Sequence, residues 1–176
     1  MASLESEFLR FSTAKLEQMM ERIEVCIGKL TPEQVWTRGT EEQNAAGNLL
    51  MHLEGNVRQW ILSGIGGEPD HRIRDVEFST REFQMAPSEL VVRLRVTVDA
   101  AARAIGQMTG PQLLETVRIQ GYEGTKLQAV YHVVEHFAGH AFQIIFLTKL
   151  LTGEDVGFYS YLSASGRASG TDSMTP

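Results

Sequence analysis

The chain predicts an all-α protein, a four-helix bundle with long crossover connections, and three observations lead there. Four segments repeat apolar residues every three or four positions, Gly and Pro punctuate the gaps between them, and two of the connections are long. The first helix runs from about Leu4 to Leu30, with Leu4, Phe8, Phe11, Met19, Ile23 and Ile27 on one stripe. Thr31-Pro32-Glu33 stops it and restarts a short turn through Trp36, with Thr as cap and Pro at the first helical position. Asn44 is placed to cap a second helix that ends near Gly64, where Gly66, Gly67 and Pro69 oppose continuation. Gly64 to Met85 carries charge without a period and reads as a long connection, a length at which loops are often functional. Pro87 opens a third helix on Leu90, Leu94, Val98, Ala101, Ile105 and Met108, and Gly110-Pro111 ends it. Leu114 to Ile119 alternates as a short extended piece. Gly121 and Gly124 then turn the chain into a fourth helix, which Thr125 caps and Gly153 stops.

At 176 residues the chain fits one domain, here residues 1–155, followed by a tail over 156–176 whose Ser163–Pro176 stretch is of low complexity. A formal charge of −6 with no dense Lys/Arg run argues against nucleic acid and against anionic membranes. Neither a signal peptide nor a membrane span is expected, because no apolar run is long enough. One cysteine, Cys26, excludes an internal disulfide and suits a reducing cytoplasm. It falls beside Ile23 and Ile27, where a buried inert thiol is expected.

The chemistry concentrates in histidines. His132, His136 and His140 recur every four residues inside the fourth helix, and His52 lies centrally in the second. A spacing of four drifts by about 40° per step, so two neighbouring imidazoles can close on one ion. Two from one helix and one from a neighbour would leave a coordination position open for substrate, as catalytic metal sites do. At 100° per residue Gln143 joins the three histidines in one sector, beside a core stripe of Val130, Val133, Val134, Phe137, Ala141 and Ile144. Around His52 the same projection aligns Asn48, Asn56 and Gln59, amides that either orient ligands or simply face water. Glu54, Arg58 and Gly47 fall on another side, expected to be the solvent face. His71 is expected to be exposed in its loop. Tyr131, Phe142 and Phe146 lie off the core stripe, a motive for a homodimer through the fourth helix.

Two segments, Asn48-Leu49-Leu50-Met51-His52-Leu53-Glu54-Gly55-Asn56-Val57-Arg58-Gln59-Trp60 and His132-Val133-Val134-Glu135-His136-Phe137-Ala138-Gly139-His140-Ala141-Phe142-Gln143-Ile144, resemble the DinB-like superfamily of metal-binding four-helix bundles, which includes the YfiT-type proteins. The second is similar to a signature in which two His four apart precede a Gln three residues on. By position the resemblance implies His52, His136 and His140 as ligands of a divalent ion, with zinc or nickel as the leading choices. Gly139 and Ala141-Phe142 depart from the commoner signature, on the side that would meet substrate. His132 is an additional imidazole pointing about 80° from His140, which suits proton transfer better than ligation.

The resemblance also implies a function, since characterised relatives include S-transferases and isomerases that use bacillithiol or mycothiol. The expectation is a cytoplasmic metal-dependent enzyme acting on a small-molecule substrate, with a low-molecular-weight thiol as partner and His132 as the catalytic proton acceptor. Metal-assisted hydrolysis uses the same open ion and is the nearest rival. A bundle that only binds metal or ligand is the alternative of a different class.

Overall fold

The structure is a computed structural model that describes residues 3–81 and 85–162. Ser3 and Ser6 cap each other's backbone and open α1 (Leu4–Ile27), and Thr31 and Gln34 do the same for the single turn α2 (Pro32–Val35). The second long helix is α3 (Ala46–Val57), continued by a π-helical stretch over Arg58–Ser63. Its N-cap is Ala45 rather than Asn44: the Asn48 side chain reaches back to accept the Ala45 N–H at 3.1 Å. The connection after Gly64 is not wholly irregular, since it contains α4 (Arg74–Ser79). Pro87 does open α5 (Pro87–Gly106). It ends at Gly106, earlier than expected, and Gly110-Pro111 instead starts another single turn, α6 (Gly110–Leu113).

The all-α expectation is corrected by a small antiparallel hairpin, β1 (Thr116–Ile119) and β2 (Tyr122–Thr125), paired Thr116 with Thr125 and Ile119 with Tyr122. Gln120 and Gly121 form its two-residue loop with φ of 53° and 83°, the positive values that match the right-handed twist of a hairpin. The segment through Gly124 is therefore a strand, where the sequence suggested only a turn. Thr125 then caps α7 (Lys126–Thr152) through the Gln128 N–H, and Gly153 ends it at φ 72°.

The fold is mostly helical, and each of its four long helical elements packs against two others: α1 on α5 and α7, and α3 likewise on α5 and α7. Leu16, Met20, Ile23, Leu49, Leu53, Leu94, Ile105, Phe137 and Ile144 fill the interior between them, each under 2% exposed. Leu4 and Phe11 depart from their expected stripe and are exposed. Cys26 is fully buried, and that burial pushes its thiol pKa up, which fits an inert core residue. Packing extends past residue 155. Val156 and Phe158 lie against the core, and Arg22 stacks on Phe158 and Tyr159. Ser163–Pro176 lies outside the described residues. Among the described residues, no helix is long and apolar enough to cross a membrane.

Candidate metal centre

The histidine on α3 and those on α7 meet because these two helices are neighbours. His52 Nε2 lies 2.8 Å from His136 Nε2, and one nitrogen from each of His52, His136 and His140 falls within 4.8 Å of the others. The rings of His136 and His140 stand nearly perpendicular with centroids 4.5 Å apart, and His52 meets His140 edge-on at 4.9 Å. Such a group can hold a metal ion.

Two of the three outer nitrogens are committed. His52 Nδ1 donates to Glu77 Oε2 at 2.8 Å, and His140 Nδ1 donates to Gln143 Oε1 at 2.7 Å. With the protons held on Nδ1, Nε2 of both rings is left as an acceptor able to ligate, that of His52 facing His136 Nε2, an arrangement typical of metal-binding histidines. Burial, reinforced by the neighbouring imidazoles, pushes the His136 pKa down to about 3, so this ring is neutral and available as a donor at physiological pH. Burial lowers His140 as well, against the Gln143 hydrogen bond that raises it. Three imidazole nitrogens fit zinc, nickel, copper or iron, and the donor set does not choose among them.

Glu77 is a residue of the candidate site that sequence reasoning missed. It comes from α4, inside the supposed loop, and its carboxylate is buried beside His52. Arg72 clamps it with two bonds, Nε to Oε1 at 2.7 Å and Nη2 to Oε2 at 2.9 Å, and also donates from Nη1 to Gln59 Oε1 at 2.8 Å. A usable signal existed in Gly55, three residues past His52. A Cβ there would stand 2.3 Å from Glu77 Oε1, so the helix carries a glycine where alanine would favour it by about 1 kcal/mol.

The amide column resolves into separate duties. Asn48 is fully buried and donates to the carbonyls of Glu77 and Thr80 at 2.8 and 3.0 Å, while Arg38 also binds the Thr80 carbonyl at 2.8 Å. Together they fix the end of α4 that delivers Glu77. Gln59 donates to Asp70 at 2.6 Å, and the hairpin residue Gln120 donates to Gln59. The expected solvent face is also corrected. Gly47 is buried against Trp36, and Glu54 and Arg58 bond each other and Thr97 of α5.

His132 stays outside the three-nitrogen group. Its ring packs against Trp60 at 4.2 Å and lies roughly parallel to His136 at 5.6 Å, and burial lowers its pKa. It lines a cavity of about 290 Å³ together with His52, His136, Asn56, Arg74 and Tyr122. The hairpin reaches that cavity because Gly64 gives it room: a Cβ on Gly64 would come within 2.4 Å of Ile119 Cδ1. His71, as expected, is exposed.

Solved structures with a similar fold include two from bacteria. A conserved protein from Enterococcus faecalis superposes with a TM-score of 0.66 at 15% identity, covering 82% of this chain and 97% of that one. A DinB-like protein from Bacillus cereus gives 0.65 at 18% identity, covering 85% and 93%. Residues 3–164 match the family described as "Protein of unknown function (DUF1572)", and the chain belongs to that DinB-like family. No curated protein matches it.

Proposed function

We propose that this chain is a four-helix-bundle enzyme that holds one divalent ion, zinc or nickel, on His52, His136 and His140 and joins a small thiol to an electrophile. The observation that carries the reading is the approach of three imidazole nitrogens to within 4.8 Å at the edge of a cavity that His132 also lines. When bound, the ion supplies Lewis acidity that lowers the pKa of a thiol or water beside it. Thiol is preferred over water because of the family resemblance.

The chain's own residues divide the remaining work. Glu77 and Gln143 hold His52 and His140 in the ligating tautomer. His132, neutral because burial depresses its pKa, accepts the thiol proton as sulfur adds to one carbon of an electrophilic double bond, and returns that proton to the neighbouring atom that receives the displaced π pair. Trp60 fixes the plane of that imidazole. Metal-loaded protein is expected to accelerate thiol addition across a panel that includes bacillithiol and mycothiol. His132→Gln should lower the rate by about 10²–10⁴ while leaving metal content unchanged. No rate above metal-free protein and His136→Ala would refute thiol transfer and leave hydrolysis, the rival use of the same ion, or a binding role.

The chain is further proposed to pair with a second copy through the outer face of α7. Tyr131, Phe142 and Phe146 are 61%, 48% and 65% exposed there, and Gly139 between them has open space where a side chain would stand. Two-fold pairing is the commonest way to bury such a face. Light scattering at micromolar concentration should give twice the 19.6 kDa of the chain, and a monomer mass would refute pairing.

A further inference from the structure

The cavity beside the histidines has unmet polar groups of defined sign. Arg72, one of its walls, is neutralised by Glu77. Arg74, another wall, has no carboxylate partner among the described residues. Its guanidinium is instead held over the Phe78 ring at 4.9 Å, and Phe78 in turn packs against His52 at 4.8 Å. Asn56, one turn beyond His52 and 4% exposed, has its Oδ1 buried with no hydrogen-bond donor to it. Trp60 Nε1 is likewise buried with no acceptor. Unmet buried groups of this kind are uncommon in native proteins and mark places where a partner is to be supplied. A second cavity of about 240 Å³ shares Trp60, Tyr122 and His132, and adds Val117, Ile119 and Ala129 between the hairpin and α7.

We propose that the substrate is a small organic monocarboxylate carrying an O–H or N–H donor and an apolar substituent, with its carboxylate on Arg74, its donor on Asn56 Oδ1 and its apolar part under the hairpin. A single uncompensated guanidinium matches one negative charge, which favours a carboxylate over a phosphate dianion. Asn56 Oδ1 can only accept, so the ligand must donate there. The proposal names a substrate class for the site described under Proposed function and rests on that reading for the location of the reacting centre.

Calorimetric titration of the full chain, metal-free and zinc-loaded, tests it with two matched sets: lactate, propionate and lactamide, and mandelate, phenylacetate and mandelamide. Both hydroxy acids should bind saturably, mandelate more tightly, with the neutral amides at least tenfold weaker and the acids lacking the hydroxyl weaker by a smaller factor. Arg74→Gln should abolish the preference for acid over amide, Arg74→Lys should retain part of it, and Arg103→Gln, an exposed control on α5, should leave it intact. Acids and amides binding alike, inorganic phosphate displacing mandelate, absence of saturable binding by either hydroxy acid, or binding that needs zinc and ignores Arg74→Gln would each overturn the proposal. Elemental analysis of the same samples separates the two readings. A chain that fails to hold metal yet keeps Arg74-dependent carboxylate binding refutes the metal reading alone, and one that holds metal but ignores charge refutes this inference alone.

Discussion

Replacing His52, His136 or His140 with Ala should abolish stoichiometric zinc or nickel binding, whereas His71→Ala should leave it at the wild-type level. Each of the three supplies one of the three nitrogens in the group, and the two imidazoles left in each variant hold an ion too weakly for stoichiometric occupancy. Gln143→Ala is expected to fall between, because it releases the His140 tautomer without removing a donor. Such loss of an orienting partner lowers metal affinity by about 10–100-fold. Elemental analysis of protein prepared without an affinity tag, together with equilibrium dialysis, reads all five variants. Wild-type stoichiometry in the three alanine variants would refute the site.

The second large effect is expected at Glu77. Its side chain is 7% exposed and that of Arg72 4%, so Glu77→Ala strands a buried guanidinium and leaves His52 Nδ1 without its acceptor. Breaking a buried pair in this way costs about 3–5 kcal/mol, read as a lower urea midpoint. The double variant Arg72→Ala/Glu77→Ala should lose less than the sum of the two singles, since no charge is then stranded. A Glu77→Ala loss under about 0.5 kcal/mol, the range of a neutral surface change, would contradict the clamp.

The same centre sets the acid sensitivity of the metal-free protein. Burial alone would raise the Glu77 pKa, but the hydrogen bonds from Arg72 and His52 and the charge of Arg72 outweigh it and hold the group below the ordinary carboxylate value. The His136 pKa lies near 3 in the fold against 6.5 for a free imidazole. Below pH 6.5 the unfolded chain therefore binds more protons than the folded one. The His136 contribution is complete above that value and is lost toward pH 3, and the Glu77 contribution begins to fall only below about 4.5. Urea midpoints measured from pH 8 to 4 should decline first just under 6.5.

The helices and the histidines were legible in sequence because both are local signals. Apolar spacing of three and four marks a buried helical face, and four-residue spacing brings imidazoles together on one helix before any tertiary contact exists. Placing Gln143 in the His140 sector came from the same arithmetic. What stayed hidden depends on contacts between distant segments. Glu77, Arg72 and Arg74 lie in a stretch with no hydrophobic period, and α4 is held by side chains of Asn48 and Arg38 that no local pattern announces. The second hairpin strand, only four residues with a glycine in it, owes its state to pairing with β1. The π-helical stretch that carries Gln59 and Trp60 is defined by bonds such as Gly64 N–H to the Gln59 carbonyl, a register that side-chain spacing does not reveal.

The arrangement of ligands also governs when, along the folding route, an ion can be captured. His136 and His140 share one helix and come together whenever that helix forms, with His132 one turn earlier, while His52 is 84 residues away from His136 and its Glu77 tether another 25 from His52. A chain that has not yet closed those long loops still offers an incoming ion pairs of imidazoles four residues apart. Binding to such partly folded chains offsets some of what the finished centre contributes, so an ion stabilises this protein by less than its affinity for the native site alone would give. The triple repeat that made the centre visible in the sequence also gives the unfinished chain a competing place for the ion.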